Sequence, residues 1–269
     1  MSAPVVTLLS DYGLDDPFVG VCHGVIVTIC PAARVIDISH GVARQDVRMG
    51  AQTLAGSLPF MPVGVHVAVV DPEVGARRRA VALETGDGRR LVGPDNGLLM
   101  RAAERCGGIV EAVEIAGSPF RLEPVSATFH GRDIFAPVAA HLAAGAALAD
   151  AGMPQDPRQL VVLDLPEPRR EDGALVVQAV LVDRFGNVQL NAGHEALGGA
   201  SLKLGQRVRL SCADCEREAI YARTFVEVPA GEALLYEDAD RRLAVAVSQG
   251  NAAAELHLAA GDELRIAPA

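Results

Sequence analysis

The chain has 269 residues, half of them hydrophobic and 22% charged, a composition that is typical of folded globular proteins and excludes a disordered one. The length predicts two modest domains. A formal net charge of −10 argues against nucleic acids and anionic membranes as partners, because both bind clustered Lys and Arg. A small-molecule ligand is the better expectation.

The cysteine content and the N-terminus together predict the compartment. The five cysteines are an odd number, and the chain does not open with a basic segment followed by an apolar core. No run approaches the roughly eighteen apolar residues that cross a bilayer. These features predict a soluble, cytoplasmic protein with reduced thiols.

In the first half of the chain, short apolar segments alternate with segments of helical period. The apolar segments are residues 5–11, 35–39 and 65–71. They are rich in β-branched residues and lack polar alternation, which predicts buried parallel strands. Asp16, with Pro17 after it, and Asp46 each precede a helical pattern and are expected to cap a helix. The pattern predicts an α/β domain with a mostly parallel sheet, whose functional groups lie at the carboxyl ends of the strands.

Around residues 154–173 four prolines and many charges interrupt the pattern, as in a connector that crosses a surface. Beyond it, short apolar runs follow one another at close spacing with turn residues between them. This is typical of an all-β domain, either a small barrel or a sandwich. We expect an α/β domain at 1–160, a linker at 161–173 and a barrel-like domain at 174–269.

Two carboxylates and an arginine follow predicted strands in the first half. Asp11 follows the first strand and is suited to accept ribose hydroxyls, although by itself the residue is more typical of an ordinary turn. Asp71 ends the third strand, and Arg78 lies seven residues later in a loop shaped by Pro72 and Gly75. If the loop doubles back, the two form an ion pair in a cleft. The alternative is a solvated basic turn.

Further candidates lie in later segments. His130 precedes a helix, where it has either a structural or a catalytic role, and Gly131 permits close approach of a ligand. Asp183 and Asn187 flank a hairpin turn, and an Asn amide offers adenine both a donor and an acceptor. The CxxC pair Cys212 and Cys215 lacks a second pair at zinc spacing and is expected to be two reduced thiols. Asn96, before a predicted helix, is expected to be a cap.

Six motifs in this order resemble the SAM (S-adenosyl-L-methionine) hydroxide adenosyltransferases, which are relatives of the SAM-dependent fluorinases and chlorinases. The motifs are SDYGLDDPFVG, VVDPEVG, GPDNGLL, TFHGRDIFAPVAAHLAAG, DRFGNVQLN and SQGNAA. The resemblance covers nearly the whole chain. It implies a homotrimer in which SAM binds between the N-terminal domain of one subunit and the C-terminal domain of its neighbour.

The resemblance also implies roles for individual residues. In the hydroxide branch a water is held by an Asp, an Arg seven residues on and a His fifty-nine residues after the Asp, as for Asp71, Arg78 and His130. The halogenating relatives have Tyr at the first and third of these positions and Ser at that of Gly131. The implied substrate contacts are Asp11 for ribose, Asp16 and Asp183 for methionine, and Asn187, Phe225, Asn251 and Ala252 for adenine.

Two positions depart from the family pattern. Glu73 stands where the family usually has Gly, which puts the shape of the Arg78 loop in doubt. The segment 238–242 reads DADRR in place of the family's Asn-Ser segment, so no role is carried over to it.

The resemblance implies hydrolysis of SAM at C5′ by an activated water, giving adenosine and L-methionine, with no metal and no cofactor. Three alternatives stay open. They are a SAM-dependent halogenase, a non-catalytic SAM or adenosine sensor, and a metal-dependent phosphohydrolase that uses Asp11, Asp37, His40 and Asp71 at the strand ends.

Overall fold

The computed structural model describes residues 3–164, 166–200, 202–213 and 215–269, with the backbone alone at 198–200. The chain divides into two compact units, Met1–Leu163 and Asp164–Ala269. No helix within the described ranges has both the length and the apolar character needed to cross a membrane.

The first unit is a seven-stranded sheet with helices. Its strands are β1 Val5–Ser10, β2 Arg34–Ser39, β3 Val65–Val69, β4 Ala80–Thr85, β5 Arg90–Pro94, β6 Ile109–Glu114 and β7 Met153–Pro154. Its helices are α1 Phe18–Ile29, α2 Val47–Ser57, α3 Met100–Arg105 and α4 Ala136–Ala143, the last preceded by a π-helical turn, Gly131–Phe135. The strand order is β2-β1-β3-β5-β4-β6-β7. Strands β2, β1, β3 and β5 are parallel, and β4, β6 and β7 extend the sheet antiparallel, which confirms the predicted class.

Burial on both faces of the sheet explains why the central strands are mostly apolar, with no regular polar alternation. In β1, Val6 and Leu8 lie in one hydrophobic cluster, with residues of α1 and α4, while Leu9 lies in a second, with residues of α2 and α3. Successive side chains of a strand point to opposite faces, so a strand covered on both sides has no position for a polar alternation.

One of the three predicted helix caps is confirmed. Asp46 Oδ1 accepts a hydrogen bond from Met49 N at 2.8 Å at the start of α2. The prediction for Asp16 is wrong, because Pro17 occupies the cap position of α1 and no side chain caps that helix. Asn96 is also not a cap, since α3 begins only at Met100.

The second unit is a closed barrel. Its strands are β8 Arg169–Glu171, β9 Ala174–Val182, β10 Val188–Gly193, β11 Arg207–Ser211, β12 Glu216–Tyr221, β13 Ala233–Glu237, β14 Arg242–Val247 and β15 Glu263–Pro268, and α5 Ala252–Glu255 is a short α-helix. The order β10-β14-β13-β12-β11-β15-β9 closes because β9 also pairs with β10, and β8 adds to β9 outside the ring. The predicted all-β barrel is confirmed.

The expectation of two reduced thiols at the CxxC pair is wrong. Cys212 and Cys215 form a disulfide at the turn between β11 and β12. Their Cα atoms are 5.1 Å apart, and Cys212 N donates to Cys215 O at 2.9 Å. The hairpin brings the two residues together, which the cysteine count alone does not reveal. Cys22, Cys30 and Cys106 are free and buried.

Candidate active site

The loop after β3 doubles back on itself. It contains Asp71, the second residue after the end of β3, and it ends before β4. Within the loop, Ala76 N donates to Glu73 O at 3.0 Å. Gly75 has a φ of 79°, and a side chain there would overlap the carbonyl oxygen of Ala127. Only glycine satisfies both conditions, so this position fixes the path of the loop. Glu73 takes part in the turn through its backbone, and the loop still returns Arg78 to Asp71.

Asp71 and Arg78 form a buried ion pair. Arg78 Nε donates to both carboxylate oxygens of Asp71 at 2.9 Å, and Nη2 also donates to Oδ2. Their side chains are only 5% and 4% exposed. A solvated basic turn is therefore excluded. Breaking such a pair leaves an uncompensated buried charge, so the arrangement holds both groups firmly in place.

His130 joins this pair at the start of the π-helical turn. Its Nδ1 lies 2.8 Å from Arg78 Nη2. A guanidinium can only donate, so Nδ1 accepts, and the ring is neutral with its hydrogen on Nε2. Burial and the positive charge of Arg78 lower the pKa of His130, against the opposing effect of Asp71 and Asp133. The structure thus brings Asp71, Arg78 and His130 into one hydrogen-bonded cluster.

Tyr12 is a neighbour of this cluster that sequence reasoning missed. A side chain at Gly131 would overlap the Tyr12 hydroxyl, so a protein group makes the close approach that was expected of a ligand. The Tyr12 ring packs against Phe18 and Phe129, with centroids 5.8 and 5.9 Å away. Burial, followed by nearby acidic groups that include Asp11 and Asp71, raises the pKa of Tyr12, which keeps its hydroxyl protonated. In the sequence, the position of Tyr12 next to Asp11 in the SDYG motif could have indicated that it belongs to the site.

Asp11 lies at the same edge of the sheet as Asp71. It follows β1, which pairs in parallel with β3, and Asp11 N donates to Val69 O at 3.4 Å. Asp11 Oδ2 accepts from Gln45 N at 2.9 Å. Asp16 is exposed, in the loop before α1.

Asn96 lies in the turn after β5 and binds the backbone just after the end of β3. Its Nδ2 donates to Val70 O at 2.9 Å, and its Oδ1 accepts from Leu98 N at 3.2 Å. This side chain therefore holds the backbone just before Asp71.

The second unit contains a cavity of about 380 Å³ that Asp183, Asn187 and Phe225 all line. Asp183 Oδ2 accepts from Asn187 Nδ2 at 2.8 Å, and Asp183 Oδ1 accepts from the backbone of the same turn. The Phe225 ring lies 5.1 Å from that of Tyr236, which also lines the cavity. The structure therefore brings together three of the predicted substrate residues.

Asn251 and Ala252 are not among the residues that line this cavity. Asn251 Oδ1 caps α5 by accepting from Ala254 N at 2.8 Å, and Ala252 is fully buried. Ala253 N donates to Gly186 O at 2.9 Å, which fixes this segment against the Asp183–Asn187 turn.

The segment 238–242 supplies three further lining residues, Asp238, Ala239 and Asp240. Gln189 Nε2 donates to Asp238 Oδ2 at 2.6 Å and to Asp240 Oδ2 at 3.3 Å. Burial, and after it the negative charges of Asp240 and Glu237, raise the pKa of Asp238 against the effect of its hydrogen bonds. The sequence analysis assigned no role to this segment. Its two closely spaced carboxylates were the feature that could have indicated a place in the site.

An α/β unit with a hydrogen-bonded Asp–Arg–His cluster and a β-barrel unit with a polar cavity define a two-domain protein for small-molecule chemistry. The chain belongs to the SAM hydroxide adenosyltransferase family. The model of that family's N-terminal domain matches residues 6–152, and the model of its C-terminal domain matches residues 177–265.

Individual relatives agree with this assignment. A curated protein named (R)-S-adenosyl-L-methionine hydrolase, from Salinispora arenicola, is 48% identical over 265 residues and covers 98% of both chains. A fluorinase from Actinoplanes sp. is 28% identical over 235 residues, covering 77% of this chain and 78% of the fluorinase. The crystal structure of an uncharacterized conserved protein from Thermotoga maritima has a TM-score of 0.91 at 37% identity, covering 97% of this chain and 99% of that one.

Proposed function

We propose that this protein hydrolyses SAM at C5′, giving adenosine and L-methionine, with Asp71, Arg78 and His130 holding the water that attacks. The observation that carries the proposal is the buried guanidinium of Arg78, which binds both Asp71 oxygens and His130 Nδ1. Membership of the hydroxide adenosyltransferase family and the hydrolase name of the Salinispora relative support the same reaction.

The reaction explains why such a cluster is needed. The sulfonium of SAM departs as a neutral thioether, so the leaving group needs neither a proton nor a metal. Water is the difficult partner, because its pKa of about 15.7 leaves almost no hydroxide at neutral pH. The site must hold the water in line with the C5′–S bond and take a proton as the C–O bond forms.

Each member of the cluster has a distinct part in this step. The carboxylate of Asp71 accepts the proton from the water, while Arg78 keeps that carboxylate oriented. Since Nδ1 of His130 accepts from Arg78, its Nε2–H donates to the water oxygen. His130 therefore positions the nucleophile and does not act as the base.

The remaining predicted residues form the proposed substrate contacts. Asp11 accepts the ribose hydroxyls. Asp16 and Asp183 face the methionine end. Adenine is held by Asn187, Asn251 and the backbone of Ala252, with Phe225 stacked on its ring. The common cavity of Asp183, Asn187 and Phe225 supports this assignment.

The name of the Salinispora relative sharpens the choice of substrate. In that name the descriptor L gives the configuration of the methionine α-carbon, and the adenosyl group has a defined ribose configuration. The descriptor R therefore refers to the remaining stereocentre, the sulfonium sulfur. We infer that this chain also cleaves the R-sulfonium epimer.

The assembly follows the family resemblance, and the compartment follows the sequence expectation of a cytoplasmic protein. The protein is proposed to be a cytoplasmic homotrimer with active sites between subunits and no metal in the reaction. A halide nucleophile is disfavoured because the negative charge of Asp71 beside the anion would repel it.

The test is chromatography of each SAM epimer after incubation with protein in EDTA. Adenosine and methionine should appear in equal amounts, faster from the R epimer. Absence of products in EDTA, with recovery on adding a divalent ion, would favour the metal-dependent phosphohydrolase alternative. A 5′-halogenated adenosine formed in chloride would favour a halogenase.

A further inference from the structure

A second cluster of polar side chains lies at the β2 edge of the first unit and has no part in the proposed reaction. His23 is on α1, Asp37 is on β2, and His40 directly follows β2. Asp37 Oδ1 lies 2.8 Å from His23 Nε2 and 3.0 Å from His40 Nε2. One ligand atom from each residue lies within 4.8 Å of the other two.

His40 carries an unsatisfied nitrogen that is aimed into this cluster. Its side chain is only 3% exposed, and its Nδ1 lies 2.7 Å from Ser10 Oγ. Its Nε2 makes no well-formed hydrogen bond despite its closeness to Asp37. Buried polar atoms nearly always have a partner, because leaving one unpaired is costly. A cation bound between the three residues would supply that partner.

The chemistry of the three groups is that of a metal site. Two imidazole nitrogens and one carboxylate oxygen are borderline ligands that suit zinc and similar divalent ions. Bond lengths of about 2.0–2.1 Å place the ligand atoms of a tetrahedral site about 3.3 Å apart. The separations of 2.8 and 3.0 Å from Asp37 reach this value with shifts of about half an ångström or less, and the two histidine nitrogens lie within 4.8 Å of each other.

We propose that His23, Asp37 and His40 bind one divalent transition-metal ion of the zinc type. Ser10 orients His40 through its Nδ1, as outer partners of metal-binding histidines commonly do. The His23 and Asp37 side chains are 33% and 41% exposed, which gives the ion a path from solvent and leaves room for a water ligand.

The position of the site gives the ion a structural role. His40 O accepts from Gly13 N at 2.9 Å, and Ser10 Oγ accepts from Tyr12 N at 3.2 Å. Both bonds hold the loop that begins with Asp11. An ion that fixes His40 therefore also fixes this loop to α1 and β2.

The test is titration of the metal-stripped protein with Co²⁺, followed by its visible absorption. One equivalent per chain should bind and give the d–d absorption bands that are typical of cobalt with a low coordination number. A thiolate charge-transfer band should be absent, because such a band would indicate binding at a cysteine. His23→Gln and Asp37→Asn change partly exposed groups and should each weaken binding at least about tenfold, since each removes a direct ligand. The control His194→Gln removes an exposed histidine that pairs with the carboxylates of Glu195 and Glu237, and it should leave binding unchanged.

Failure of Co²⁺ to bind, a thiolate band, or equal binding by the wild type and both ligand variants would overturn the proposal. Equilibrium dialysis with Zn²⁺ should give the same order among the variants. Because neither readout uses SAM turnover, failure here is distinct from failure of the proposed hydrolysis.

Discussion

At the scale of single residues, the site depends on one guanidinium with two partners. Arg78 can hold Asp71 and His130 together because its planar group presents several donors at once. A lysine would offer a single charged centre and could not reproduce the geometry. The roles assigned to Asp71 and His130 therefore make separate, measurable predictions.

Asp71→Asn should lower kcat about 10²- to 10⁴-fold, the usual contribution of a positioned acid or base, with little change in SAM affinity. The amide keeps the shape of the side chain but cannot accept the proton of water. The measurement is steady-state kinetics together with SAM binding by calorimetry. Arg77→Gln, at an exposed neighbour of Arg78, is the matched control and should behave as wild type. An equal loss of binding and rate would make Asp71 an ordinary substrate contact.

The pH profile tests the protonation state of His130. Its lowered pKa keeps it neutral at pH 7, and activity should decline only when the pH falls below its usual pKa of about 6.5. Protonation of Nδ1 would then break the bond from Arg78. The measurement is kcat/KM against pH, with His130→Gln lacking this acid limb. An acid limb centred above pH 7 would contradict the assignment.

At the scale of elements, the strands and most helices could be predicted because apolar period and local caps are encoded over a few residues. The pairing of Asp71 with Arg78 could be predicted because the two residues are only seven positions apart in one loop. The contact of Tyr12 with Gly131 and the pairing of His40 with Ser10 join distant segments, and no local pattern reveals them. The Asp16 cap failed because Pro17 itself took the cap position.

The tight contact at Gly131 predicts that a methyl group added there lowers stability, whereas one added at Gly20 raises it. Gly131→Ala should lower the free energy of unfolding by about 1–3 kcal/mol, because its Cβ overlaps the Tyr12 hydroxyl. Gly20→Ala, at a position on α1 with open space around it, should raise that free energy by up to about 1 kcal/mol. Urea unfolding of both variants provides the measurement. Adding Tyr12→Phe should recover part of the loss, and equal stability of the two alanine variants would refute the contact.

His66, on the central strand β3, predicts how stability depends on pH. It is fully buried beside Thr7 of β1, and burial lowers its pKa to about 4. In the unfolded chain the imidazole takes up a proton at its usual pKa of about 6.5. The contribution of His66 to the free energy of unfolding is therefore fully present above that pH and is lost progressively as the pH falls toward 4. Up to about 3 kcal/mol of unfolding free energy should be lost across this interval. Urea titrations at several pH values should show a smaller slope in His66→Gln, and an unchanged slope would refute this account.

At the scale of the whole molecule, the two units each hold part of the proposed site. Asp71, Arg78 and His130 belong to the first unit, and Asp183 and Asn187 to the second. The proposed trimer brings them together across subunits, an arrangement that no pattern within a single chain encodes.

Activity should therefore require the oligomer. Specific activity is expected to fall on dilution in step with the loss of trimer in analytical ultracentrifugation. Mixing inactive Asp71→Asn chains with inactive Asn187→Ala chains should restore part of the activity, because a shared site can combine two intact halves. A fully active monomer would contradict the proposed assembly.

The most direct test of the central claim follows the oxygen on C5′. A single in-line attack by water, run in ¹⁸O-water with C5′-deuterated SAM of defined chirality, should give adenosine labelled at its 5′-hydroxyl from the first turnover, with inversion at C5′. A covalent route through Asp71 would need two displacements and would give retention. Inversion with full label is the predicted result, and retention or unlabelled adenosine in the first turnover would contradict the water mechanism.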